Sequence, residues 1–121
     1  GSWDVSKVTD TAAMFNGASA FNNGVSDSIA NWNTSNLVIA NDMFRKAVSF
    51  NQPIGSCDMK KVQFLVRFLS GATSFNQSLA SWRLDSLVIL PGKPLSGVAA
   101  ALDHTAISRQ NYDAMLIAWN A

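Results

Sequence analysis

His104 is the only histidine of the 121-residue chain and Cys57 the only cysteine, so nucleophilic or metal chemistry would have to be built around one of them. His104 follows Asp103, and in a strand those neighbours point to opposite faces, whereas a triad or zinc site needs converging partners. A surface or capping histidine is the simpler reading. Cys57 falls at an inward apolar position, where a thiol is buried and inert; a nucleophile needs an electropositive, accessible setting. Asp27, flanked by Ser26 and Ser28, could offer oxygens to calcium, but calcium recruits several ligands and often more than one carboxylate. Turn chemistry accounts for that tripeptide. Neither a glycine-rich phosphate loop after a strand nor a carboxylate pair suited to acid–base work is evident. These residues point away from an enzyme: no catalytic residue, metal or cofactor is expected.

Composition narrows the class further. The mass of 13.0 kDa is that of one domain. Such a chain buries about two-thirds of its unfolded surface, enough for a core without disulfides. Charged residues are 14%, every acid is Asp, and nine Lys+Arg against eight Asp leave a net charge of +1. That is too little for a general nucleic-acid or anionic-membrane surface, and no apolar run approaches a membrane span. The opening Gly1-Ser2 looks like an expression scar, so the start carries no targeting information.

An internal repeat is the main signal. Trp3-Asp4-Val5-Ser6-Lys7-Val8 aligns with Trp32-Asn33-Thr34-Ser35-Asn36-Leu37, Cys57-Asp58-Met59-Lys60-Lys61-Val62 and Trp82-Arg83-Leu84-Asp85-Ser86-Leu87, at spacings of 29, 25 and 25. Met14-Phe15, Met43-Phe44 and Phe68-Leu69 keep step, as do Ala18, Ala47 and Ala72. Phe21-Asn22, Phe50-Asn51 and Phe75-Asn76 follow, and the first copy carries an insertion of four residues within 23–28. Ile29-x-x-Trp32-x-Thr34, Ile54-x-x-Cys57-x-Met59 and Leu79-x-x-Trp82-x-Leu84 fit the leucine-rich pattern L-x-x-L-x-L, which predicts a short strand with alternate residues inward. Thr11–Phe15 and the stretch after Asn41-Asp42 read as short helices, since Asn and Asp cap N-termini. Gly17 and Gly71 stand where such helices stop.

One unit cannot bury its own Trp and Phe, whereas a stack can. The expected fold is therefore an α/β solenoid: leucine-rich-repeat-like coils of short parallel strand plus short helix, with repeats at about 3–31, 32–56, 57–81 and 82–107. Within it the repeated Phe should stack on its copy, and the following Asn should satisfy backbone groups as a ladder. After Trp82 the pattern decays. Pro91, Gly92 and Pro94 predict an irregular loop, and Leu102-x-x-Thr105-x-Ile107 fits the strand template once more. Ser108 is a candidate N-cap for a capping helix over about 108–120, with Tyr112, Met115, Leu116 and Trp119 on one face. No cap is evident at the other end, and the chain reads as the C-terminal end of a longer protein.

Stacking would place equivalent outward residues about 4.8 Å apart in rows. One row holds Asp4, Asn33, Asp58 and Arg83; its neighbour holds Ser6, Ser35, Lys60 and Asp85; Asn31, Ser56, Lys61 and Ser81 flank them. Such a polar strip is either a solvated face whose charges pair weakly or a recognition strip of the kind repeat proteins present. The candidate ligand-binding residues are Asn33, Asp58, Lys60, Arg83 and Asp85. Arg45-Lys46 and Lys60-Lys61 form a second basic set, ordinarily a solvated face.

The run W-D-V-S-K-V-T-D-x-x-x-M-F-N-G-A-S-x-F-N-N, with F-N-Q-x-I/L-x-x-W between units, resembles the BspA-like surface-protein family, the DUF285 repeats. The terminal I-S-R-Q-N-Y-D-A-M-L-I-A-W resembles the closing segment found after such repeats. Cys57 in place of Trp, and Phe68-Leu69 in place of Met-Phe, depart from the pattern but keep its apolar character. The resemblance implies a bacterial surface or secreted protein, an extracellular or cell-surface location, adhesion, and no cofactor. The expected function is non-enzymatic recognition of protein or glycan on a host, prey or neighbouring cell surface, without nucleic acid and without membrane insertion by this chain. The alternative is a structural tip or spacer that forms a homo-oligomer through its uncapped end or strand edge.

Overall fold

The computed structural model of the chain describes residues 4–88, 100–112 and 114. Pro91, Gly92, Pro94, Met115, Leu116 and Trp119, on which the irregular loop and most of the capping helix were expected, lie outside them.

The α/β solenoid of strand-and-helix coils is not what these residues form. No sheet is present among them. Strand-type pairing is limited to isolated parallel bridges, Asp10 with Ile39 and Ile39 with Phe64. Two short 3₁₀ helices, Asn23–Val25 and Asp27–Asn31, occupy the inserted stretch of the first repeat, and residues 109–112 are helical. The rest is turns and extended links.

The predicted strands fail because turns close on both sides of them. Amide N–H groups of Trp32, Cys57 and Trp82 donate to the carbonyls of Ile29, Ile54 and Leu79, three residues back. Those of Val8, Leu37, Val62 and Leu87 donate to Val5, Thr34, Met59 and Leu84 in the same manner. Between them, carboxamide or carboxylate oxygens of Asp4, Asn33 and Asp58 accept from the amides of Ser6, Ser35 and Lys60 at 3.0–3.1 Å, making Asx turns. Too few extended residues remain for a ladder.

The predicted helices fail for a different reason. A helix returns each N–H to its own chain four residues back, but here alternate N–H groups leave for the next repeat. Thr11, Ala13, Phe15 and Gly17 donate to the carbonyls of Ile39, Asn41, Met43 and Arg45 at 2.8–2.9 Å. Ala40, Asp42, Phe44 and Lys46 donate to Phe64, Val66, Phe68 and Ser70 at 2.8–3.0 Å, and Leu69 and Gly71 donate to Ala101 and Asp103. The intervening amides, Met14, Asn16 and Ala18 for example, close three-residue turns within the repeat. Two rows of left-handed residues sustain this alternation. Ala13, Asp42, Arg67 and Ala100 have φ of 52–59°, and Gly17, Lys46, Gly71 and His104 have φ of 58–78°. A left-handed residue at every fourth position cannot belong to a right-handed helix.

The same rows correct the reading of the last repeat. Leu102–Ile107 is not a strand. Ala101 and Asp103 accept where Phe68 and Ser70 do, and His104 takes the left-handed position of Gly71. Ser108 is an N-cap as predicted: its hydroxyl accepts from the amide of Asn111 at 3.2 Å, and its carbonyl accepts from Tyr112 at 2.9 Å.

The core runs along the repeats as the sequence anticipated. Phe21, Phe50 and Phe75 stack in order, with centroids 5.8 and 5.9 Å apart. Phe15 stacks on Phe44 at 5.4 Å, while Phe68 meets Phe44 and Trp82 edge-on. Such pairs add about 0.5–1.5 kcal/mol each beyond area burial. Phe44, Phe50 and Phe75 are buried, but Phe15 and Phe21 of the first repeat are only half-buried.

Candidate functional site

All five strip residues are on the surface, and their environments separate them. Asn33 is committed locally, its Oδ1 accepting from the amide of Ser35 at 3.1 Å and from the Ser35 hydroxyl at 2.6 Å. Asp58 uses Oδ1 for the amide of Lys60, 3.0 Å away. Arg83 and Asp85 form an exposed ion pair at 3.6 Å, of the sort that contributes at most about 1 kcal/mol. Lys60 is exposed.

Three of the five, Asp58, Lys60 and Arg83, line one open groove of about 300 Å³, together with Gly55, Ser56, Cys57, Met59 and Ser81. Asn33 and Asp85 do not line it. The groove draws on the end of the second repeat, the third repeat and the start of the fourth. Gly55 to Lys60 supply one wall, and Ser81 and Arg83 the other. The two walls approach closely beside Gly55, where an added Cβ would meet the Ser78 carbonyl oxygen at 2.5 Å.

The floor reflects one side-chain exchange. Cys57 stands in the register of Trp32 and Trp82, and all three border a small apolar void of about 20 Å³ inside the core. Cys57 thus borders both the core void and the surface groove. Trp82 is buried and anchored, its indole N–H donating to the Ile54 carbonyl at 2.9 Å. Burial pushes the Cys57 thiol up to about 11, against a smaller opposing effect of the Thr34 hydroxyl. A thiol so held is protonated at neutral pH and is no nucleophile.

Other residues singled out in the sequence make structural contacts. His104 is exposed and serves as a left-handed turn residue. In the inserted loop the Ser26 hydroxyl accepts from the amide of Ser28 at 3.2 Å, while Asn23 Nδ2 donates to the Ser26 carbonyl and the Ser28 hydroxyl. Asn22, Asn51 and Asn76 form the expected ladder. Oδ1 of Asn22 accepts from the amide of Asn51 at 2.8 Å, and Oδ1 of Asn51 accepts from that of Asn76 at 2.9 Å.

The groove combines two cations, one carboxylate already engaged by a turn, two serine hydroxyls and an apolar floor. It suits a small acidic or hydroxyl-bearing group held by hydrogen bonds and charge. Sequence reasoning missed Gly55 and Met59. The usable signal for Gly55 was the register Ala30, Gly55, Ala80, small at each copy.

Among the described residues no helix is long and apolar enough to cross a membrane, as expected from the sequence. Residues 1–91 match the family described as "Mycoplasma protein of unknown function, DUF285". No curated protein and no solved structure matches the chain.

Proposed function

The chain belongs to the DUF285 family, and from that premise we propose that it is a non-enzymatic recognition module of a bacterial surface or secreted protein, of the BspA-like kind, working outside the cell. Its ligand is a protein or glycan on another surface, engaged at the groove between Lys60 and Arg83. The observation that carries this reading is the convergence of Lys60, Arg83, Ser56 and Ser81 on one open groove over the Cys57 floor. Neither cation is buried, so an incoming carboxylate or sulfate can be met without stripping a charge from a pre-existing partner in the core. The Ser81 hydroxyl can donate or accept, while the Ser56 hydroxyl, which donates to the Ala30 carbonyl at 3.1 Å, offers its lone pairs, and such directional bonds distinguish sugars or polar side chains.

The test is binding of the whole chain to arrayed glycans and to extracellular-matrix proteins, with Lys60→Ala and Arg83→Ala beside it. Loss of about tenfold or more in affinity in each variant, roughly 1.4 kcal/mol, is expected. The glycan and protein arms separate the two ligand sources. Equal binding by the parent and both variants would remove the groove from the reading.

A further inference from the structure

Arg83 lines the groove, yet the carboxylate it pairs with, that of Asp85, stands outside. A terminal nitrogen of Arg83 and Oδ1 of Asp85 are 3.6 Å apart, and the two side chains are 70% and 54% exposed. That separation is too long for a hydrogen bond. The pair is a loose Coulombic one in water, worth little and readily exchanged. The Lys60 side chain makes no ion pair or hydrogen bond among the described residues. The groove therefore holds one unclaimed cation and one weakly claimed cation.

The other polar wall atoms are mostly acceptors. Oδ1 of Asp58 takes the Lys60 amide, while its Oδ2 meets no donor among the described residues. Ser56 Oγ donates to the Ala30 carbonyl and keeps its lone pairs. The Ser81 hydroxyl can give or take. An occupant must bring an acid for Lys60 and Arg83, together with O–H donors for Ser56 and Asp58. A ring that carries hydroxyls and a carboxylate or sulfate brings both within about 300 Å³. The aspartate or glutamate side chain of a protein brings the acid alone.

We propose that the groove takes the acid-bearing ring of a glycan, a uronate or a sulfated sugar, and that Asp85 sets its affinity by competing with that acid for Arg83. The inference rests on the groove reading above and deepens it. Asp85 and the sugar's acid are like charges beside one guanidinium, so an incoming anion meets a rival and a repulsion together. Removing that charge while keeping the side chain's shape tightens binding. A whole-protein charge effect would follow from the loss of any Asp. Competition at Arg83 follows from Asp85 alone, and only while Arg83 is present.

Titration calorimetry on the whole chain tests it, with a uronate disaccharide, a sulfated disaccharide, the uncharged counterpart of each, and an acidic peptide. An acidic disaccharide should bind at least about tenfold more tightly than its uncharged counterpart. Asp85→Asn should tighten that binding about two- to fivefold, the range an exposed ion pair allows. Asp85→Ser should do the same and keeps the test decisive should one variant fold poorly. Asp103→Asn removes an exposed carboxylate from outside the groove and should change nothing. Adding Arg83→Ala to Asp85→Asn should erase the gain. Unchanged binding in Lys60→Ala and Arg83→Ala would remove the groove itself. Loss in those two with no gain in either Asp85 variant, or an equal gain in Asp103→Asn, would overturn the role of Asp85 and leave the groove standing. Binding of the peptide but of neither acidic sugar, of no probe at all, or of charged and uncharged sugars alike would overturn the ligand class.

Discussion

Asn51 does for Asn76 what Asn22 does for Asn51: its Oδ1 accepts both the amide of Asn76 at 2.9 Å and the Gln77 carboxamide at 3.0 Å. Asn22 holds the amide of Asn51 and the side chain of Gln52 at 2.8 and 2.9 Å. Asn76 passes the role on, taking the amide of Ser108 at 2.7 Å and the Asn111 side chain at 3.2 Å. One acceptor atom per repeat thus closes two donors of the next, and the last rung fastens the start of the terminal helix.

Asn51→Ala leaves both donors without that acceptor, and Gln77 is only half-buried, so water can replace part of the loss. The expected destabilisation is about 1–3 kcal/mol, the range for removing one partner of part-buried hydrogen bonds, read as a shift in urea midpoint. Asn51→Asp keeps the accepting oxygen and should lose clearly less. Equal losses in the two variants would mean that packing, not the acceptor, holds the ladder.

The left-handed rows give a second prediction. Gly17→Ala and Gly71→Ala each force a Cβ into φ of 75° and 78° and should cost about 1–2 kcal/mol. Gly71→Ala should be the worse, because its Cβ would also meet Lys46 Cγ at 3.3 Å, while that of Gly17 meets nothing within 4 Å. The converse exchange, Ala13→Gly at φ 59°, relieves strain but adds chain entropy and should gain roughly 0.5 kcal/mol. Thermal unfolding in the three variants reads all of these.

What the sequence made legible was register, and what it hid was backbone conformation. Equal spacing of Phe21, Phe50 and Phe75 is enough to infer that they stack, because apolar side chains that recur must share a core. The asparagine ladder followed from the same register. The L-x-x-L-x-L spacing, however, is also produced by paired turns that bring Ile54, Cys57 and Met59 inward, so periodicity could not tell a strand from a turn. One left-handed row advertises itself through Gly17 and Gly71. The other holds Ala13, Asp42, Arg67 and Ala100, of which only Asp42 is a type that favours positive φ, and without that row the segment reads as a helix. Register alone had put Asp58, Lys60 and Arg83, which line the groove, on the outward rows. The groove itself was not legible, because it brings Ser81 and Arg83 beside Gly55–Lys60, a juxtaposition across repeats that spacing alone does not give.

The fork between Asp42 and Arg67 should give a pH-dependent link between the second and third repeats. Nε and one terminal nitrogen of Arg67 reach the two carboxylate oxygens at 2.8 and 3.2 Å. That hydrogen bonding holds the Asp42 carboxyl below its ordinary value of 3.8. A carboxyl depressed on folding stabilises the protein above its unfolded value, and the contribution disappears as pH falls through the lower folded one. Asp42→Asn should therefore cost less than about 1 kcal/mol at neutral pH, since Arg67 is half-exposed. The gap between variant and parent should stay constant down to about pH 5 and close below it. A gap that persists at pH 2 would assign the loss to something other than charge.

Cys57 gives the last prediction, and its sign runs the other way. Burial raises the folded thiol from 9.0 to about 11, so between those values the unfolded chain releases a proton that the folded one keeps. Stability linked to this group is fully present below pH 9.0, falls as pH rises, and is gone above about 11. Because only the thiolate attacks, alkylation of native Cys57 at pH 8 should be slower than that of a free thiol by about a hundredfold or more, and urea should abolish the difference. Cys57→Ser leaves a hydroxyl at the same position, beside the void it shares with Trp32 and Trp82. That variant should lose the alkaline slope while keeping the neutral-pH fold. Rapid labelling of the native protein would place the thiol in solvent and take away the floor of the groove.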